Sequence, residues 1–333
     1  MADAKGVLVC GECVEGGLSA GTQELLGGGR KLADTLGEEL SVVLMGEKVA
    51  DLAQEAIKFG ADKVYVIESP LLKDYTTDGY VGAMEKLCKQ ISPNILVMAQ
   101  SSMGRDLAPR LAFRLDTGLT MDCVALSIDP DTKLLQQTKP VYGGNALSVV
   151  VCENGRPQMA TVRSKSMDPL DPDDSRKGEV IAFDAALDAS AIRTKKLETV
   201  KEEVEGVKLE DAEVVVCGGR GVGSPEAFEP LGDLAKLLGG ALGATRPPCD
   251  EGWLPTNLQV GLTGKMVAPT LYIGIALSGS SQHLAGCSGS KTMVAINKDP
   301  EANIFKVSQY GVVADYRKVL PAFAEKVKEL LAG

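Results

Sequence analysis

Short apolar runs alternate with helix-length amphipathic stretches, and this alternation constrains the fold of the chain more than any other feature. Val7–Val9, Leu40–Met45, Lys63–Ile67 and Ile95–Ala99 read as strands. Thr22–Leu40, Val49–Phe59, Tyr80–Gln90 and Asp106–Leu115 carry apolar residues at helical spacing between them. Gly27-Gly28-Gly29 weakens the first of these helices. Continuous apolar strands separated by helices of this length predict a parallel sheet with helices on its faces. From Asp122 the pattern turns towards β, with strands expected at Cys123–Ile128, Ala146–Cys152 and Met159–Arg163. The polar stretch Ser164–Lys177 reads as a surface loop.

A second α/β unit follows. Glu213–Cys217 is a strand, Gly218-Gly219-Arg220-Gly221-Val222-Gly223 a glycine-rich turn, and Ser224-Pro225-Glu226 a helix start. Later strands fall at Leu271–Leu277, Thr292–Ile296 and Lys306–Val307, with a closing helix from about Lys318. The expected division is therefore 1–193 as an N-terminal α/β domain, with a parallel sheet plus added β strands. The charged segment 194–210 is a linker, and 211–333 is a Rossmann-like α/β domain ending in a helix.

Charge and composition exclude several functions. Thirty-five Lys+Arg against 45 Asp+Glu leave a net charge of −10, which argues against a nucleic-acid binder. His283 is the only histidine, so zinc sites with two or more histidine ligands are excluded. The longest uncharged stretch, 266–290, is broken by Pro269 and by glycines and serines, so no membrane span is expected. No signal or transit segment is evident at the N-terminus. The eight cysteines are scattered and several sit in apolar runs, which points to free thiols in a reducing compartment, expected to be the cytoplasm. The close pair Cys10-Gly-Glu-Cys13 is either a redox dithiol or two free thiols where a strand ends. Loop-like Val14-Glu15-Gly16-Gly17 after it favours the second reading.

Four segments carry candidate chemistry. The glycine turn around Arg220 places backbone N–H groups and a cation against an anion, or is simply a tight turn. Gly261-Leu-Thr-Gly-Lys265 lacks the spacing of a Walker loop and is otherwise a connecting turn. Ser278-Gly-Ser-Ser-Gln-His283 follows the most apolar strand, where ligands bind in parallel sheets, and offers hydroxyl, amide and imidazole groups to a planar polar ligand. Asn297 and Asp315 each follow an apolar run and suit a ribose or adenine edge, or are turn residues.

Taken together, these segments resemble the α subunit of electron-transfer flavoproteins. Leu271-Tyr-Ile-Gly-Ile-Ala-Leu-Ser-Gly-Ser-Ser-Gln-His-Leu-Ala-Gly286 and Val294-Ala-Ile-Asn-Lys-Asp-Pro-Glu301 carry the resemblance most densely. Ala244-Thr-Arg246, Asp250-Glu-Gly-Trp253 and Gln259-Val-Gly-Leu-Thr-Gly-Lys265 extend it. In the first half, Gly104–Ala112, Lys139–Asn145 and Pro157–Arg163 do the same. The resemblance implies FAD held mainly by the second domain and a heterodimer with a β subunit, docked by the first domain. It implies electron exchange with flavin dehydrogenases such as the acyl-CoA dehydrogenases of fatty acid β-oxidation.

Residue by residue, the resemblance implies Arg220 near the FAD diphosphate. Thr245 and Arg246 lie at the isoalloxazine, where a permanent cation favours the anionic reduced ring. Val260, Gly261 and Leu262 lead to Thr263, which reaches N5. Ser278, Gly279, Ser280 and Ser281 contact ring or ribityl oxygens. Gln282 and His283 lie at the pyrimidine edge, with His283 facing N1 and the C2 carbonyl. Asn297 and Asp315 hold the adenosine part, and Tyr316 is a further cofactor-binding candidate. Leu262 departs from the family's usual Gln, Ser280-Ser281 from its usual Ala and apolar residue, and Cys249 is unusual. Three other readings stay open: the α subunit of an electron-bifurcating, NADH-oxidising complex with a second FAD in β, an adenine-nucleotide-binding module, and a nicotinamide-dependent dehydrogenase.

Overall fold

Val7, Val9, Leu8 and Cys10 show how the first sheet is built. Alternate side chains of this strand enter two different apolar clusters, one on each face. A strand buried on both faces needs an unbroken apolar run, and that is what the sequence supplies. The computed structural model describes residues 4–14, 17–144, 146–198 and 207–332. By backbone proximity the chain divides into two units, Met1–Val141 with Leu147–Val200, and Tyr142–Ala146 with Lys201–Gly333. The expected linker 194–210 includes residues 199–206, which lie outside those described, as do Glu15 and Gly16 of the loop after Cys13.

In chain order the first unit carries β1 (Val7–Cys10), β2 (Cys13–Val14), β3 (Gly17–Leu18), α1 (Ala20–Leu36), β4 (Leu40–Gly46), α2 (Ala53–Lys58), β5 (Lys63–Glu68) and α3 (Thr77–Ile91). There follow β6 (Ile95–Ala99), α4 (Ser102–Arg114), β7 (Leu119–Cys123), β8 (Ala125–Ile128), β9 (Leu135–Val141), β10 (Ala146–Val150), β11 (Gln158–Val162) and β12 (Glu179–Ala182). The main sheet runs β12-β5-β4-β1-β6-β11-β7 with parallel pairings, and β10-β9-β8 form a smaller sheet. Leu25, Leu26 and Leu32 of α1 cover one face, and Met84, Leu87, Leu107 and Leu111 of α3 and α4 the other.

Gly27-Gly28 serves close packing here. A Cβ on Gly27 would meet the Asp168 carbonyl oxygen at 2.2 Å, and one on Gly28 the Met167 sulfur at 2.0 Å. The helix tolerates their low propensity because the chain at 167–168 lies directly on it. Serine side chains start two helices: Ser19 accepts from the Thr22 N–H and Ser101 from the Gly104 N–H.

The second unit carries β13 (Val214–Gly218), α5 (Glu229–Leu237), β14 (Ala241–Ala244), α6 (Arg246–Asp250), β15 (Leu271–Ile275), α7 (Ser281–Cys287), β16 (Thr292–Asn297), β17 (Tyr310–Val313) and α8 (Tyr316–Ala332). Its sheet runs β14-β13-β15-β16-β17, all parallel. Phe228, Leu231, Leu234 and Leu320 pack on one face with Ile273, Ile275 and Ile296. On the other face Tyr272, Cys217 and Ala295 meet Val260, Leu277, Cys287 and Ile304. All eight cysteines are free thiols. Among the described residues no helix is long and apolar enough to cross a membrane.

Candidate functional site

The second sheet reverses its winding between β13 and β15, so the loops leaving these strands diverge at their C-terminal ends. Such a switch point leaves a crevice open for a ligand. Three loops converge on it.

The first is the glycine turn after β13. Gly219 N–H donates to the Ile275 carbonyl at 2.9 Å and Gly221 N–H to the Ala276 carbonyl at 3.2 Å. A Cβ on Gly219 would lie 2.5 Å from the Ala276 oxygen, so a side chain there would force the turn off the end of β15. Ala276 itself has φ 52°, a strained conformation for alanine, held by its N–H bond to the Ile296 carbonyl. Arg220 projects from this turn into solvent. Behind it, the Tyr316 hydroxyl donates to the Val222 carbonyl at 2.8 Å and ties the turn to α8.

The second loop joins β14 to β15. Thr245 is buried, and its N–H donates to the Gly218 carbonyl at 2.9 Å. Arg246 opens α6, where Pro247 suits the first turn. Its Nε pairs with Asp250 at 3.0 Å, but the two side chains are 63% and 57% exposed. A pair so exposed contributes at most about 1 kcal/mol, so Arg246 can be recruited by a ligand at little cost. Further on, Val260 N–H donates to the Ala244 carbonyl at 2.8 Å, and Leu262 N–H to the Gln282 carbonyl at 2.8 Å. Gln259 Nε2 donates to Thr263 Oγ1 at 2.9 Å. Leu262 is left exposed at the lip.

The third loop runs from Leu277 to α7. Gly279 has φ 75°, and a Cβ there would meet Ile304 N at 2.4 Å. Ser280, Ser281 and Gln282 are exposed and His283 is buried.

A cleft of about 550 Å³ opens between these loops. It gathers Arg220, Thr245, Arg246, Val260, Gly261, Leu262, Thr263, Ser280, Gln282 and His283. A small separate recess is lined by Asn297, Asp315 and Tyr316 together with Gly221 and Ala276. Ser278, Gly279 and Ser281 line neither. Sequence reasoning missed Asp250, Glu251 and Gln259 on the cleft wall. All three lie in segments already singled out, but nothing in one sequence shows which way they face.

Three expected contacts take a different form. Both ring nitrogens of His283 are engaged inside the unit: Nε2 lies 2.7 Å from the Tyr272 hydroxyl and Nδ1 3.0 Å from the Val260 carbonyl. The strand and loop behind the ring supply both partners, and His283 also lines the cleft. Asn297 donates to the Leu277 carbonyl at 2.8 Å and accepts from the Asp299 N–H at 3.0 Å, so its amide holds the loop together. Tyr316 is a packing residue whose hydroxyl is already bonded. Asp315 accepts from the Arg317 N–H at 3.0 Å, as expected of a residue starting a helix.

The donor set suits a flavin dinucleotide. Arg220 can meet a diphosphate and Arg246 a ring that gains negative charge, Thr263, Ser280 and Gln282 offer hydroxyl and amide groups to polar ring edges, and Val260 and Leu262 offer apolar surface to a ring face. Among the described residues no group of His, Cys, Asp or Glu is arranged to hold a metal ion.

Comparison with known proteins agrees with this chemistry. Residues 7–188 match the electron transfer flavoprotein domain family, and residues 208–288 the electron transfer flavoprotein FAD-binding domain family. An electron transfer flavoprotein subunit alpha from Thermoanaerobacterium thermosaccharolyticum is 48% identical over 330 residues, 99% of this chain and 100% of that protein. The subunit alpha from Megasphaera elsdenii is 45% identical, covering 99% of this chain and 98% of that one. LctC of Acetobacterium woodii, a subunit of lactate dehydrogenase (NAD(+),ferredoxin), is 35% identical over 95% of this chain and 75% of its own length. With both halves of the chain matched and the cleft built for such a ligand, the chain belongs to the electron transfer flavoprotein family as an alpha subunit, with FAD as its cofactor.

Proposed function

We propose that this chain holds FAD in the cleft at the C-terminal ends of β13 and β15 and, paired with a β subunit, shuttles electrons between a flavin dehydrogenase and a downstream acceptor. The observation that carries this reading is the convergence of Arg220, Arg246, Thr263 and Gln282 on one cleft within the FAD-binding domain. FAD supplies the electron-carrying ring. The chain supplies placement and charge.

Arg220 and the glycine turn face the diphosphate, because the backbone approaches closely there and the side chain is free in solvent. Arg246 gives a cation that does not deprotonate beside the ring, where negative charge accumulates on reduction. Thr263 keeps its hydroxyl hydrogen for the ring edge, since Gln259 already occupies one of its lone pairs. Ser278 to Ser281 supply hydroxyl and backbone groups to ring or ribityl oxygens. Asp315 and the recess beside Asn297 and Tyr316 receive the adenosine part. No side chain needs to act as a nucleophile.

The assignment of 1–193 to docking the β subunit, 194–210 to a linker and 211–333 to FAD rests on the two family matches. Acyl-CoA dehydrogenases of fatty acid β-oxidation are the class of donor this reading favours. Eight free thiols support a reducing compartment, the cytoplasm. The test is the visible spectrum of the chain co-expressed with its β partner, followed by release of the cofactor. Oxidised-flavin bands and one FAD per heterodimer are expected, and a colourless heterodimer that takes up no added FAD overturns the reading.

A second reading is an NADH-oxidising, electron-bifurcating complex. It is supported by the similarity to LctC, a subunit named for NAD(+) and ferredoxin. Two FAD per heterodimer, in place of one, would favour it.

A further inference from the structure

The turn that carries Thr263 is closed by the backbone of Lys265. Lys265 N–H donates to the Gln259 carbonyl at 2.6 Å, Gly261 N–H to the Lys265 carbonyl at 3.1 Å, and Gly264 N–H to the Gly261 carbonyl at 3.0 Å. A Cβ on Gly264 would meet the Gln259 oxygen at 2.3 Å, so only glycine lets the turn close this tightly. Leu262 and Thr263 at the tip line the cleft, and Lys265 at the base does not. The Lys265 ammonium instead pairs with the carboxylate of Glu210, in the segment that leads into β13.

That segment is anchored on both sides of Glu210. Leu209 and Ala212 are buried in the apolar cluster that holds Val260 and Val267, the residues flanking the turn. Leu209 and Val260 lie together against Gly243 of β14, where a Cβ would meet Val260 Cγ2 at 3.0 Å and Leu209 Cδ2 at 3.3 Å. The Glu213 carbonyl accepts from Leu271 N–H at 3.1 Å, and its carboxylate accepts from the Thr270 hydroxyl at 2.5 Å. The turn itself is held before Thr263 by Val260 N–H on the Ala244 carbonyl and Leu262 N–H on the Gln282 carbonyl. After Thr263, Val267 N–H reaches the Gly286 carbonyl at 2.7 Å, and the Glu210 pair is a side-chain tether in between. Both side chains of the pair are 41% exposed, so it adds little to the stability of the whole unit, and its effect is local.

We infer that Glu210 is a positioning residue for the flavin loop: it keeps the Lys265 ammonium out of the cleft and so holds the turn that presents Thr263 to the ring. A residue outside the cleft, at the entrance to the unit, then sets part of the FAD affinity. The effect on FAD rests on the reading of the cleft given above, and the coupling of Glu210 to the turn does not.

Three variants of the heterodimer test this: Glu210→Gln, Lys265→Met, and the exchanged pair Glu210→Lys with Lys265→Glu. Fluorescence titration of the FAD-free heterodimer should give a Kd about three- to fivefold above wild type in each single variant. The exchanged pair should bring Kd back towards wild type, which a loss of packing at either position would not do. In about 1 M salt, where screening acts within ~3 Å, wild type and Glu210→Gln should converge. Wild-type Kd in both single variants, an exchanged pair as weak as the single ones, or a difference that survives high salt each overturns the inference. Hydrogen exchange of the Gly264 and Lys265 amides, whose bonds close the turn, reads the coupling without FAD. Both amides should exchange about three- to fivefold faster in Glu210→Gln, and rates equal to wild type overturn the inference. A wild-type heterodimer that binds no FAD while these amides respond as expected counts against the flavin reading alone and leaves the role of Glu210 standing.

Discussion

Gln259 donates to Thr263 Oγ1 at 2.9 Å, and because Gln259 is only 7% exposed this bond is shielded from competing water. The bond fixes which side of the hydroxyl remains available, so the two residues should act as a unit on FAD affinity. Gln259→Leu and Thr263→Val should each weaken FAD binding by about 1 kcal/mol, a roughly fivefold rise in Kd. The double variant should be little worse than either single one, since the second change removes an interaction already lost. Fluorescence titration of the FAD-free heterodimer reads all three. Wild-type affinity in Gln259→Leu together with loss in Thr263→Val would show that Gln259 does not position the hydroxyl.

Gly219 marks where β13 and β15 abut. A Cβ there would meet backbone atoms of both Ala276 and Leu277 at 2.5 Å, and backbone cannot rotate away as a side chain can. Gly219→Ala should therefore cost about 1–3 kcal/mol of stability. It should also abolish FAD retention, because the displaced turn carries Arg220. Gly232, inside α5, is the control: a Cβ there has only Leu242 Cδ2 at 3.7 Å. Gly232→Ala should stabilise by up to about 1 kcal/mol through helix propensity and leave FAD binding intact. Calorimetric Tm with bound FAD counted in each variant gives the answer, and a Gly219→Ala protein with wild-type Tm would overturn the steric account.

Two groups give the acid limb of stability two separate steps. Burial lowers His283 from 6.5 to about 4, so the unfolded chain takes up a proton that the folded chain refuses. Its stability contribution is complete above about 6.5 and is lost as pH falls towards 4, amounting to about 2 kcal/mol between pH 7 and 5. Asp62 acts lower. Burial works to raise its carboxyl, but the Arg30 Nη1 hydrogen bond at 2.5 Å, the Leu40 N–H at 2.9 Å and nearby Arg176 outweigh burial and hold it below the usual carboxylate range. That contribution is present above about pH 4 and disappears as pH falls through the folded value. Urea midpoints at pH 7, 5 and 3 separate the two. His283→Gln should lose less than wild type between pH 7 and 5. Asp62→Asn should be less stable than wild type at pH 7, with the gap narrowing at pH 3. Parallel curves for wild type and His283→Gln would remove His283 from the acid response.

The parallel sheets were legible because both of their faces are buried, which demands apolar runs such as Val214–Cys217. Strands without that demand escaped notice. Leu135–Val141 is mostly polar, with Pro140 inside it, and Glu179–Ala182 is a largely exposed edge. The last strand lies at Tyr310–Val313, exposed along its length, while Lys306–Val307 closes a short 3-10 turn. The first helix stops at Leu36 because Gly37 takes φ 67°, freeing Leu40 to begin β4. In the site, glycine spacing and polar residues after strands pointed to segments that converge on one cleft. They could not show that the nitrogens of His283 turn inward to Tyr272 and Val260, or that Asn297 and Tyr316 spend their polar atoms on the fold. Partners such as Tyr272 for His283, Leu277 for Asn297 and Val222 for Tyr316 lie on other elements and meet only in the folded unit.

Leu262 is the residue where the cleft departs most from a polar lip. It is 58% exposed, and its N–H is bonded to the Gln282 carbonyl, which fixes the backbone and leaves only the side chain to face the ligand. An apolar group there gives no donor to a ring that becomes more negative on reduction. Leu262→Gln should add one neutral hydrogen bond to the reduced form, worth about 1 kcal/mol, and so raise the two-electron midpoint potential by about 20 mV. The fold should be unaffected, since an exposed leucine stabilises little by burial. Spectroelectrochemical titration of the heterodimer at one pH measures the shift. A potential unchanged from wild type would mean that the side chain at 262 does not reach the ring, and that Thr263 alone carries the polar contact from this loop.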